Sequence, residues 1–268
     1  MWLSQIFIYP IKSARGIAVP ETQVDTSGPL QDRRWMVVDE HGVFLSQRKL
    51  PHMVLIEPRF EGSDLVVTAP GMPSLKIPRW SGEGEWVPVR IWRDGLNLPH
   101  PNQAYSNWFS SFLGTNCRVV YLPDEVTRRV EAPFDDWRVS LADGYPLLVM
   151  TEASLDLLNS RLTSPVEVER FRPNLVIAGA TPHGEDSWTD VQIGSVRLAI
   201  VKSCARCSTV LVDPMTGRVG LEPLRTLAGY RRMPRSVLFA QNALVVRPGQ
   251  LRVGTAVEIA DPKRDLSG

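Results

Sequence analysis

Short apolar runs, broken by glycine, proline and aspartate, dominate the first hundred or so residues. Ile6-Phe-Ile, Trp35-Met-Val-Val-Asp, Met53-Val-Leu-Ile-Glu, Leu65-Val-Val-Thr, Leu75-Lys-Ile and Val87-Pro-Val-Arg-Ile-Trp each have strand length. Their spacing predicts an antiparallel barrel or sandwich. Asp39-Glu-His-Gly42, between two such runs, predicts a hairpin turn. Helical spacing is rarer. Tyr105, Trp108, Phe109, Phe112 and Leu113 recur at the helical period and stop at Gly114. A second helix is expected from Thr151, an N-cap residue, through Leu162, with Leu155, Leu158 and Leu162 on one face. A third, short one is expected over Pro223–Tyr230. Further strands are expected at Cys117–Tyr121, Leu147–Met150, Leu175–Ala178, Val191–Ile193, Val196–Lys202, Thr209–Asp213, Ala243–Arg247 and Ala256–Ile259. The fold class predicted is mainly β with a few helices (α+β).

A polar stretch from Leu122 to Pro146, dense in charge, reads as a connector or lid and places a boundary near Tyr121. The 268 residues suit one elaborate domain or two smaller ones. The 22 prolines and 19 glycines favour short strands and turns over a helix bundle. A formal net charge of +1 excludes a strongly basic nucleic-acid binder, but it leaves room for a local basic pocket. The apolar N-terminus lacks a basic leader and a small-residue cleavage site, so it reads as a first strand. No window approaches the ~20 apolar residues that span a bilayer. An odd count of three cysteines points to free thiols in a reducing, cytoplasmic setting.

Two of those thiols sit in Cys204-Ala-Arg-Cys207, at the end of an apolar run. Thiolates bind soft metals and exchange electrons. On spacing alone a buried structural cysteine serves equally well. A redox disulfide of the thioredoxin type fits less well, because that motif opens a helix and this one lies in a strand and turn. A structural zinc site fails on count, since no second Cys-x-x-Cys or histidine pair completes four ligands. His41, His52, His100 and His183 read as turn and loop residues without metal-ligand spacing. Upstream, Phe171-Arg-Pro-Asn174 offers a cation and an amide that could hold an anionic cofactor beside a thiolate, and Arg206 would favour the ionised form of Cys207.

An ordered set of motifs now carries a resemblance. Tyr9-Pro-Ile-Lys-Ser-Ala-Arg-Gly16, Asp32-Arg33 and Ser46-Gln-Arg48 resemble the N-terminal β-barrel module of MOSC proteins. Asp143-Gly-Tyr-Pro146, Phe171-Arg-Pro-Asn174, Glu185-Asp-Ser-Trp188, Cys204-Ala-Arg-Cys207, Asp213-Pro-Met-Thr-Gly217 and Glu222-Pro-Leu-Arg-Thr-Leu227 resemble the MOSC (molybdenum cofactor sulfurase C-terminal) domain. The likeness runs from about Ile6 to about Ile259 and points toward amidoxime-reducing components and bacterial reducers of N-hydroxylated bases.

The resemblance implies an N-terminal β-barrel-like module over 1–121 packed on a MOSC β-barrel domain over 122–262, with a tail at 263–268. It implies a molybdenum-molybdopterin cofactor with Cys207 as metal ligand and catalytic thiolate, Cys204 as support and Cys117 as core. Lys12, Ser13, Arg33, Gly144, Tyr145, Arg172, Asn174 and Asn242 are the implied cofactor-binding residues, with Gln241 beside the last. Arg172 would pair with phosphate or pterin, and the Asn174 amide would meet a pterin edge. Where Ala205 stands, some relatives carry a hydroxyl, and where Ala240 stands the family often has glycine. The family also brings a general association with pyridoxal phosphate. The implied reaction is two-electron reduction of N-hydroxylated compounds. Electrons are expected from a separate ferredoxin-like or flavin-containing partner, since the three cysteines cannot build a four-cysteine iron–sulfur centre. The alternative is a carrier of the cofactor, or of a persulfide on Cys207, without turnover.

Overall fold

The computed structural model describes residues 1–260, so the expected tail at 263–268 and the last two positions of the expected second domain lie outside it. Among the described residues the protein is mainly β, with three α-helices.

Its backbone is a nine-stranded sheet in the order Val257–Ala260, Asp190–Ile193, Val196–Ala205, Ser236–Arg247, Leu147–Thr151, Leu175–Ala178, Trp2–Ile8 and Ile17–Val19, with Arg232–Met233 pairing off Ser236–Arg247. The pairings run in line from Val257–Ala260 to Ile17–Val19, and further backbone hydrogen bonds bring the sheet back on itself: the Leu3 N–H donates to the Thr255 carbonyl at 2.9 Å, the Gly254 N–H to the Leu3 carbonyl at 2.8 Å and the Val257 N–H to the Met1 carbonyl at 3.0 Å, with Trp2 bridged to Ala256. All pairings along it are antiparallel except Leu147–Thr151 with Leu175–Ala178. Parallel neighbours need a crossover, and the helix Glu152–Asn159 lies in it. Thr151 caps that helix by accepting the Ser154 N–H.

Both central strands are buried along their whole length, which explains their unbroken apolar runs. Alternate residues feed opposite cores. Leu147, Val149, Leu175 and Ile177 pack with Leu3, Leu198 and Val245, while Leu148, Met150 and Val176 pack with Phe7, Phe171 and Phe239.

The other half of the early chain builds smaller sheets. Trp35–Asp39 pairs with Cys117–Tyr121, and Glu57–Glu61, Asp64–Thr68 and Leu75–Ile77 form a meander. The helix Gln103–Leu113, capped by Asn102 and ended by left-handed Gly114, packs its Trp108 and Phe109 into the core these strands share. Glu85–Ile91 and Asp94–His100 make a further hairpin. The expected turn at Asp39–Gly42 is present, with the Asp39 carboxylate accepting the N–H groups of His41 and Val43. Distant parts of the chain interlock: Trp2–Ile8 runs beside Leu175–Ala178, and Gly249–Arg252 pairs with Glu21–Asp25.

Two expected strands are corrected. Met53–Glu57 is instead the 3-10 turn Pro51–Leu55 with Pro51 at its start, and the strand begins at Glu57. Thr209–Asp213 is the 3-10 turn Ser208–Leu211, opened by Cys207. Both are short apolar runs, whose period does not distinguish strand from turn. His100 ends a strand rather than lying in a loop, and its buried ring meets the Ser106 hydroxyl at 2.7 Å. No helix of the described residues is long and apolar enough to cross a membrane.

Gly28 shows how closely the early chain presses on the main sheet. Its φ is +110°, and a Cβ there would stand 2.7 Å from the Pro146 carbonyl oxygen. Gly28→Ala should therefore lower stability by about 1–3 kcal/mol in urea unfolding. An unchanged midpoint would show that the two segments part without strain.

Candidate active site

Where the two stretches of chain meet, a cleft of about 930 Å³ opens. Lys12, Ser13, Arg33, Gly144, Tyr145, Arg172, Asn174, Cys207 and Asn242 all line it, as does Cys204. Residues from positions 12 to 242 are thus brought to one surface.

Its floor is built on Asp32. This buried carboxylate accepts the Tyr9 N–H at 2.8 Å, Arg33 Nη1 at 2.6 Å and Asn174 Nδ2 at 3.2 Å. Burial raises its pKa, against the pull of Arg33. Tyr9 carries two guanidiniums on its ring, with Arg33 at 4.2 Å and Arg172 at 4.3 Å. Arg172 Nη1 also donates to the Ala14 carbonyl at 2.6 Å. Burial lowers the Arg172 pKa most and the neighbouring Arg33 adds to this, bringing it to about 10, which leaves the guanidinium charged at neutral pH. It forms no ion pair among the described residues.

Asn174 has a different part from the one expected. Its Oδ1 accepts Arg33 Nη1 at 3.1 Å and the Leu148 N–H at 3.2 Å, while Nδ2 donates to the Phe7 carbonyl and to Asp32, each at 3.2 Å. All four hydrogen-bonding positions of the amide are thereby occupied, and the side chain is buried. Asn174 orients Arg33 and the strand Leu147–Thr151; its amide has no edge left for a pterin.

At the opposite wall Lys12 is buried and ion-paired to Asp143 at 2.5 Å, and it also donates to the Leu141 carbonyl at 2.9 Å. Burial lowers its pKa to about 8 even against the attraction of Asp143. Burial pushes the Asp143 carboxyl the other way, but Lys12, Arg48 and the Trp92 N–H together hold it well below the usual carboxylate range. Arg128 fixes this loop, donating to the carbonyls of Ser140, Ala142 and Asp143 and pairing with Asp94 at 2.6 Å. The charged stretch 122–146 is therefore a tied-down wall of the cleft. No atom lies within 4 Å of where a Gly144 Cβ would stand, so its backbone faces open space.

Four of the residues lining the cleft, Ser13 (φ 67°), Arg33 (φ 48°), Trp92 (φ 55°) and Arg172 (φ 55°), adopt left-handed backbone conformations without being glycine. Such strain persists only where the surroundings enforce it, and it clusters at binding sites.

The strand Val196–Ala205 delivers Cys204 to the cleft, and Cys207 opens the turn that follows. Arg206 does not serve Cys207 as expected. Its Nη1 donates to Cys204 Sγ at 3.1 Å and its Nη2 to the Phe171 carbonyl at 2.8 Å, leaving Nε buried without a partner. The Cys207 thiol points to Thr209 Oγ1 at 3.3 Å. Cys117 is buried beside Ser110, as expected of a core residue. Asn242 faces the cleft and donates to the Lys202 carbonyl, while its neighbour Gln241 points to the other side of the sheet and binds Asp186. Arg48, Arg128 and Asp143 were overlooked as site residues. Arg48 and Asp143 lie inside the quoted motifs, but Arg128 carries no signal beyond its position in a charged stretch.

Nine lysines and arginines line the cleft against three carboxylates, in a chain of net charge +1. That excess of positive charge suits an anion. Two thiols add affinity for a soft metal, yet no three His, Cys, Asp or Glu side chains cluster closely enough to hold one among the described residues. A metal in this cleft must bring most of its own ligands.

A two-part β protein with a cation-lined cleft and a thiol pair at the seam is the class that the fold and site define. The sequence matches the MOSC N-terminal beta barrel domain over residues 1–116 and the MOSC domain over 136–258. It is 34% identical to the mitochondrial amidoxime reducing component 2 of Rattus norvegicus and 35% identical to the mitochondrial amidoxime-reducing component 1 of Homo sapiens, in each case over 95% of this chain and 82% of the relative. The chain belongs to the MOSC family, among the members that join the N-terminal barrel to the MOSC domain. Among solved structures, the YuaD protein of Bacillus subtilis superposes over 96% of this chain at 10% identity with a TM-score of 0.41, too loosely to add weight.

The Lys12 ammonium supplies a pH-dependent signature. With a folded pKa near 8 against an ordinary value of 10.5, the folded protein binds fewer protons than the unfolded chain between those values. Stability should rise with pH across that window as the buried charge is relieved. In Lys12→Met that part of the rise should be missing from unfolding curves taken between pH 7 and pH 10. Identical slopes in the two proteins would refute the assignment.

Proposed function

We propose that the cleft holds a molybdopterin-type molybdenum cofactor and that the protein reduces N-hydroxylated compounds with electrons from a separate donor protein. One observation carries this reading. A soft thiol, Cys207, shares a cleft with cations from both halves of the chain, while no three His, Cys, Asp or Glu side chains among the described residues cluster to cage a metal. A metal chelated by an anionic organic ligand satisfies all three conditions. The relatives' names as amidoxime-reducing components supply the substrate class.

In this reading Cys207 is the thiolate ligand, and Lys12, Ser13, Arg33 and Arg172 face the phosphate and pterin. Gly144 and Tyr145 offer backbone N–H groups and a wall, with Asn242 on the strand across from them. Asp32, Asn174 and Tyr9 are positioning residues, fixing the two guanidiniums before any ligand arrives, so little ordering remains at binding. The unpartnered Arg206 Nε and the left-handed backbones at Ser13, Arg33 and Arg172 are what a site built around a ligand should contain. When bound, the molybdenum would supply the two-electron chemistry that removes oxygen from nitrogen.

The test is protein expressed with an intact cofactor pathway, assayed for molybdenum and pterin and for turnover of benzamidoxime with dithionite-reduced viologen. Cys207→Ala should lose turnover by a factor of ~10² or more, as expected when a metal ligand is removed, with the fold unchanged by circular dichroism. Stoichiometric cofactor without turnover would mark a carrier instead. Full activity in Cys207→Ala would end the proposal.

A further inference from the structure

The outer side of the segment that follows Cys207 has a composition unlike the rest of the surface. Residues 208–238 form one layer: the 3-10 turn Ser208–Leu211, a loop, the short helix Leu224–Ala228 and the hairpin Arg232–Met233 with Ser236–Arg247. The layer is tied to the thiol loop, since the Arg206 N–H donates to the Val237 carbonyl and Ala205 pairs with Leu238.

Four of the eleven exposed large apolar side chains of the described residues, Met215, Val219, Leu221 and Met233, lie in this layer, each more than half exposed. A folded surface does not gather such residues in one stretch without a reason. Between them stand Arg218, Arg225, Arg232 and Arg235, all exposed and none in an ion pair among the described residues. The two carboxylates of the layer are occupied locally: Asp213 pairs with Arg170 at 2.8 Å, and Glu222 accepts the Thr226 N–H at 3.0 Å. Methionine and arginine around apolar contacts, with like charge left unmatched, are the composition of a recognition surface that awaits an acidic partner.

We infer that this layer is the docking surface for an acidic electron-carrier protein, delivering electrons to the back of the Cys207 loop. The inference rests on the reading of the cleft as a reductase site. Its step here is electron transfer: two reduced one-electron carriers dock in turn and are each oxidised, so that two electrons enter the cleft, and the N–O bond is cleaved with uptake of two protons and release of water. The arginines steer the carrier by charge and the apolar side chains hold it.

The experiment drives the cofactor-loaded protein in two ways, with an acidic plant-type [2Fe–2S] ferredoxin kept reduced by its NADPH reductase, and with reduced viologen. Parent protein is compared with Arg232→Glu/Arg235→Glu and Arg218→Glu/Arg225→Glu. Ferredoxin-driven kcat/KM should fall about tenfold or more in each double variant and lose its dependence on ionic strength, while viologen-driven turnover stays within twofold of the parent. Met233→Ser in the parent should weaken ferredoxin binding, read by calorimetry, without changing the viologen rate. Equal losses with both reductants, no loss with either, or a parent that accepts electrons from viologen but not from ferredoxin would overturn the inference. So would capture of the parent by vesicles of anionic phospholipid that the variants lose, with ferredoxin turnover unchanged. A parent inactive even with viologen would refute the reductase reading instead. In that case calorimetric binding of oxidised ferredoxin to parent and variants still decides the surface.

Discussion

A single buried carboxylate, Asp32, holds the floor of the cleft together. Two guanidiniums stacked on one tyrosine at the base of the cleft would repel each other without a negative charge beside them. Asp32 provides it, pairing with Arg33 and fixing Tyr9 and Asn174 through its other oxygen. Asn174 passes that order to the Leu147–Thr151 strand, and the Tyr9 hydroxyl passes it to the Pro173 carbonyl at 2.9 Å. The floor is therefore rigid because its polar groups satisfy one another, and what remains available to a ligand is the outward edge of each cation.

The opposite wall follows the same logic with a different balance. Lys12 is buried, but its partner Asp143 is half-exposed and shared with Arg48 and the Trp92 N–H. An anion entering near Lys12 meets an ammonium that sheds its proton more readily than an exposed lysine and a carboxylate that competes for it. Firmly held arginines on the floor and an ammonium with a shared counterion on the wall suit a ligand that carries a localised negative tail at one end and a delocalised ring at the other.

The thiol pair divides its roles by geometry. Cys204 lies under the Arg206 guanidinium, whereas Cys207 begins a turn and meets only a hydroxyl. The residue between the cysteines in sequence thus serves the first of them, a consequence of strand alternation at the end of Val196–Ala205.

Much of this was legible from residue order. The apolar runs of Trp35–Asp39, Leu147–Thr151 and Leu175–Ala178 were legible as strands from their length and apolar content, and the Asn102 cap and Gly114 stop bracket a helix on local chemistry alone. The three-residue strand Ile17–Val19 and the polar strands Glu21–Asp25 and Asp94–His100, which carry charge, Gly or Pro, were not legible, because their pairing partners rather than their own side chains stabilise them. The same division holds at the site. Motif order marked Lys12, Ser13, Arg33, Arg172 and Cys207 as a group through its resemblance to the MOSC family, since a lysine or arginine taken singly reads as a solvated surface charge. Only the folded chain decided that the Asn174 amide is consumed internally, that Arg206 serves Cys204, and that Arg128 ties down the charged loop. A hydrogen bond depends on direction as well as identity, and direction is set when segments more than a hundred residues apart, such as Arg33 and Asn174, are packed against each other.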